Sequence, residues 1–86
     1  MEERIAIIGL FISKRSSSEA VNELLHKYAD KIIGRMGIPY REENLNIISV
    51  IIRASSDEIS ALSGSLGRID GVNVKSMQTK IISQEG

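Results

Sequence analysis

The chain carries one pattern twice, and that duplication sharply limits the folds open to it. An apolar run, Ile5-Ala6-Ile7-Ile8-Gly9-Leu10-Phe11-Ile12, passes through a serine-rich turn into an amphipathic pattern from Ser18-Glu19-Ala20-Val21, and the stretch closes on Gly34-Arg35-Met36-Gly37-Ile38. A second run, Ile47-Ile48-Ser49-Val50-Ile51-Ile52, passes through Ser55-Ser56-Asp57-Glu58 into a shorter helical pattern that closes on Gly67-Arg68-Ile69-Asp70-Gly71-Val72. Two strand-helix-strand units in 86 residues predict one small α+β sandwich, βαββαβ, with residues 1–86 as a single domain.

Both apolar runs are hydrophobic at both parities. From Arg4 to Ile12, Ile5, Ile7 and Phe11 share one face and Ala6, Ile8, Leu10 and Ile12 the other; from Ile47 to Ala54, Ile48, Val50 and Ile52 oppose Ile47 and Ile51. Strands of that composition are buried on both sides and belong in the middle of a sheet, which predicts an antiparallel four-stranded sheet in the order 4-1-3-2 with both helices on one face. Gly9, which offers no side chain, marks a bulge or a close backbone approach. The second strand and a hairpin around Glu42, Glu43 and Asn44 are expected within Arg35 to Asn46, at an edge because Pro39 has no amide to donate. The fourth strand is expected from Val72 to about Ile82, with a fraying end at Gln84-Glu85-Gly86.

Ser16 and Glu19 have capping-box spacing, and Ser55 and Glu58 repeat it. Val21, Leu24, Leu25, Tyr28, Ile32 and Ile33 then fall at helical spacing, with Asn22, Glu23, His26, Lys27, Asp30 and Lys31 opposite. In the second helix Ile59, Leu62 and Leu66 point inward, and Gly67 is expected to end it in a left-handed conformation.

Composition removes whole classes of function. Eleven basic and eleven acidic residues give zero formal charge, so nothing drives counterion release from duplex nucleic acid, and one Phe, two Tyr and no Trp offer little for stacking single-stranded bases. With no cysteine there is no thiol chemistry or disulfide, and a single His with scattered carboxylates predicts no metal site and no cofactor. No apolar run reaches the roughly 18–20 residues that span a bilayer, and no secretory leader is visible, so a cytoplasmic protein without membrane contact is expected. A short chain with a small core and apolar residues at both strand parities is expected to form a homo-oligomer, a dimer or tetramer.

Catalytic groups are sparse. His26 lies on the polar helix side near Asp30, and Glu42 and Glu43 project to opposite faces of an extended segment, so neither supports acid–base work and no enzyme is expected. The best small-ligand candidate is the turn Ser13-Lys14-Arg15-Ser16-Ser17-Ser18, where a strand meets a helix N-terminus and cations and hydroxyls could receive an anion or effector; Ser13, Lys14, Arg15 and Ser16 are the candidate residues. The same serines also serve ordinary capping.

The pieces Ile33-Gly34-Arg35-Met36-Gly37-Ile38-Pro39-Tyr40 and Leu62 through Leu66-Gly67-Arg68-Ile69-Asp70-Gly71-Val72-Asn73-Val74-Lys75 resemble iron-only hydrogenase system regulators, over essentially the whole chain. That resemblance implies a ferredoxin-like fold related to ACT domains and to the C-terminal domain of nickel-responsive repressors, and a regulatory role in a hydrogenase system; the expected mode of action is homo-oligomerisation, with a small effector at a subunit interface or a protein partner. The chain departs from those relatives. The repressors hold nickel with several histidines and a cysteine, where this chain has one His and no Cys; the turn Ser13 to Ser18 lacks the glycine with which ACT domains admit an amino acid; and direct operator binding is expected to need a partner chain. The alternatives are a ligand-free interaction scaffold, or an acylphosphatase-like hydrolase using Arg15 and Asn73.

Overall fold

The computed structural model describes residues 2–80. Strand β1 (Arg4–Ile12) is followed by a 3-10 turn and helix α1 (Ser18–Lys27), then by β2 (Ile32–Tyr40), β3 (Leu45–Ala54), α2 (Ser56–Gly67) and β4 (Val72–Gln78). The sheet has four antiparallel strands in the order β2-β3-β1-β4, which is the expected 4-1-3-2 read from the other edge. The two most apolar runs take the centre, and β2 with Pro39 takes an edge, where a missing amide breaks no ladder.

Parity settles which face the helices cover. Ala6, Ile8, Leu10 and Ile12 of β1 and Ile48, Val50, Ile52 and Ala54 of β3 are buried against Val21 and Leu25 of α1 and Ile59, Leu62 and Leu66 of α2. Leu24, Tyr28, Ile32, Ile69, Val72 and Val74 close the margin of this core. The other parity is open: Ile7, Phe11 and Ile51 are exposed, so within one chain the central strands are buried on one side only.

Local details depart from the sequence expectations for physical reasons. Helix α1 stops at Lys27, and a 3-10 turn, Ala29–Lys31, hands the chain to β2, so Ile32 and Ile33 belong to the strand; the same spacing of apolar residues fits either element. The Ser16–Glu19 box does not form: the 3-10 turn Arg15–Ser17 shifts the helix start to Ser18, and Ser17 makes no side-chain cap. The Ser55–Glu58 box does form, with the Glu58 amide donating to Ser55 Oγ at 3.1 Å and the Ser55 amide donating to Glu58 Oε1 at 3.0 Å. Gly67 is the last residue of α2 and is not left-handed; Arg68 continues in the helical region, and the reversal comes at Gly71 with φ 78°. Gly9 makes no bulge, since β1 pairs with β3 in unbroken register and the one irregularity lies between Ile32 and Gly34. The hairpin turn is the 3-10 segment Arg41–Glu43 with Asn44 left-handed at φ 56°. Strand β4 ends at Gln78; the expected extension to Ile82 and the expected frayed end lie outside the described residues.

Candidate functional site

The turn after β1 is tied to the loop after α2. The Ser13 amide donates to the Gly71 carbonyl at 2.8 Å and Ser13 Oγ to the same oxygen at 3.2 Å, while Ser17 Oγ donates to the Asp70 carbonyl. Lys14 Nζ pairs with the Asp70 carboxylate, and its ammonium holds that carboxyl below its usual range. Gly71 lies so close to Lys14 that a Cβ there would come within 2.5 Å of the Lys14 Cβ. Ser13 and Lys14 are therefore fasteners between the two halves of the chain, and their polar groups are already engaged.

Arg15 faces elsewhere. Beyond the end of β1, a cleft of about 580 Å³ opens between the β1–α1 turn and the β2–β3 connection. Ile12, Pro39, Leu45 and Tyr40 supply apolar surface, and Arg15, Arg41, Asn44 and Asn46 supply donors. Among the described residues neither Arg15 nor Arg41 is in an ion pair. Tyr40 hydroxyl donates to Glu42 Oε1 at 2.7 Å, which raises its pKa from the ordinary phenol value. Asn46 Nδ2 donates to Ser18 Oγ at 3.4 Å and so links the cleft to the first residue of α1. Of the four residues singled out in the sequence, only Arg15 enters this cleft; Ser16 is exposed in the 3-10 turn. Arg41, Asn44 and Asn46 were missed because nothing in the local sequence shows that the β2–β3 turn folds back beside the β1–α1 turn, a juxtaposition set by β1–β3 pairing of Ile12 with Asn46.

The groups needed by the hydrolase alternative are kept apart. Asn73 pairs opposite Phe11 on the uncovered face of the sheet, whereas Arg15 lines the cleft at its end. His26 is exposed on α1. Among the described residues no three His, Cys, Asp or Glu side chains gather as metal ligands, and no helix is long and apolar enough to cross a membrane.

The uncovered sheet face is the second notable feature. Ile7, Phe11, Ile33, Met36, Ile38, Tyr40, Ile51 and Met77 are all 38% or more exposed, and strand parity, with Ile33 at the irregularity of β2, brings them to this side. At its middle a depression of about 390 Å³ lies over Gly9, walled by Phe11, Ile47, Ser49, Asn73 and Lys75.

Known proteins share this fold. The structure of the uncharacterized protein TM1266 from Thermotoga maritima superposes with a TM-score of 0.87 at 41% identity, over 92% of this chain and 100% of that one. The C-terminal domain of the MgtC protein from Mycobacterium tuberculosis shares the fold alone, with a TM-score of 0.71 at 10% identity, over 95% of this chain and 94% of that domain. No curated protein sequence matches the chain. Residues 4–76 match the model of the TM1266-like family, which carries the provisional description iron-only hydrogenase system regulator. With the fold, the extent of the match and the identity in agreement, this chain belongs to the TM1266-like family of iron-only hydrogenase system regulators.

Proposed function

We propose that this chain regulates a hydrogenase system by assembling with copies of itself through the uncovered sheet face, with a small effector modulating the assembly. The carrying observation is that face. Four strands about 4.8 Å apart, rising about 3.3 Å per residue, give it a footprint of roughly 500 Å² before side-chain relief, on the order of the ~800 Å² per partner of a standard interface. Large apolar patches on small domains mark association sites, and burying each Ile, Phe or Met side chain contributes about 1.5–3 kcal/mol against rigid-body costs of about 4–15 kcal/mol. A second copy fits as the occupant because projecting side chains, Phe11 and Met36, lie beside a depression over Gly9 on the same face, as a self-complementary two-fold contact requires.

The test is a pair of substitutions on adjacent residues. Ile7 is 44% exposed on the open face and Ile8 is fully buried under the helices. Ile7→Lys is expected to yield a folded monomer by sedimentation equilibrium and circular dichroism, whereas Ile8→Lys is expected to unfold. An ideal monomer at high micromolar concentration for the unmutated chain contradicts the assembly.

A further inference from the structure

We propose that the cleft at the end of β1 binds a small organic anion, its carboxylate or phosphate group held between Arg15 and Arg41. This deepens the sensory reading by giving the effector a site and a chemical class, and the two arginines that carry it are not among the residues of the assembly face. Arg15 and Arg41, from two separate turns, line one cleft, and neither is in an ion pair with a carboxylate among the described residues. Two forks of N–H donors suit an oxyanion, which can accept paired hydrogen bonds from each.

The acids close to these arginines in sequence do not line the cleft. Glu42 and Glu43 share the 3-10 turn with Arg41 but do not line the cleft, and the Glu42 carboxylate accepts the Tyr40 hydroxyl at 2.7 Å. Glu19 lies in the first turn of α1 and likewise stands outside the lining. Lys14, the other cation of the turn, is held by Asp70 and is not available to the cleft. The floor adds a second criterion: Ile12, Pro39 and Leu45 present apolar surface, so the ligand has a compact apolar body as well as a charged end. At about 580 Å³ the cleft is in the usual range for small-molecule sites. Asn46, bonded to Ser18 at the start of α1, gives the occupied cleft a direct contact with the helix layer.

Amide chemical shifts of the full chain, titrated separately with inorganic phosphate and with citrate at an ionic strength held constant with sodium chloride, test the site. A guanidinium pair open to such a ligand also takes these simple oxyanions, so saturable shifts are expected in residues 12–18 and 40–46. Arg15→Gln and Arg41→Gln are each expected to weaken the apparent Kd by about tenfold or more, as loss of a charge-assisted pair does. Arg68→Gln removes the same charge outside the cleft and is expected to leave the Kd within about twofold, well under the tenfold that a lost pair produces. Saturation by either probe that is weakened in Arg15→Gln and in Arg41→Gln supports the oxyanion site. Absence of saturable shifts with both probes, or equal weakening in Arg68→Gln, overturns the proposal. Sedimentation of the same variants separates this outcome from failure of the assembly, since a cleft that binds nothing in a chain that still associates removes only the ligand.

Discussion

Among the described glycines, Gly71 is the one where an added methyl group meets the tightest space. Its φ of 78° lies where L side chains are strained, and the Lys14 backbone and Cβ fill the space that a side chain would need. Gly71→Ala is expected to destabilise the chain by about 1–3 kcal/mol in urea unfolding. Gly64 is the contrasting case: a Cβ there meets nothing within 4 Å in the middle of α2, so Gly64→Ala is expected to stabilise by about 0.4–1 kcal/mol. Equal effects at the two positions contradict this account. The sequence shows a Gly at 67 and another at 71 after the same helix, and nothing local says which one reverses the chain. The choice falls to Gly71 because β4 must start alongside the Ser13 turn, where only a residue without Cβ fits against Lys14.

Two identical spacings, Ser16–Glu19 and Ser55–Glu58, have different fates because helix caps compete with tertiary partners. Ser17, next to the first box, gives its hydroxyl to the Asp70 carbonyl, and the 3-10 turn displaces the start of α1; among the described residues Glu58 alone bonds the Ser55 hydroxyl. Only contacts across 53 residues distinguish the cases, so the second cap was legible in the sequence and the failure of the first was not. Ser55→Ala is expected to lower stability by about 1 kcal/mol, as loss of an N-cap does. Glu58 adds a pH dependence of definite sign. The Ser55 amide, the Ser55 hydroxyl and the nearby Lys31 ammonium hold its carboxyl below the usual range against an opposing effect of burial. A carboxylate lowered in the folded state contributes its full stabilisation above the unfolded-state value, and that contribution is lost as the pH falls through the folded-state value. The urea midpoint is therefore expected to fall on acidification, and Glu58→Gln to flatten that fall; an unchanged slope in the variant contradicts the assignment.

The sheet order and the identity of the core were legible because two-residue periodicity survives whatever the turns do, and the two runs apolar at both parities had to be central. Which parity met the helices was not legible, since Ile7 and Ile8 are chemically alike and only the crossing of α1 and α2 onto one face separates them. The cleft was half legible for a related reason: Arg15 belongs to a recognisable strand-to-helix turn, whereas Arg41 reaches the same place only through the return of β3 along β1. That placement of β1 also imposes an order on synthesis. Its neighbours are β3 and β4, both made after it, so β1 cannot close its second edge until Val72–Gln78 has been made. During translation the Ile5–Ile12 run remains an open, aggregation-prone edge. A chain ended after Gly71 is expected to collect in the insoluble fraction while the full chain does not, and recovery of that fragment as a dispersed, cooperatively folded species contradicts it.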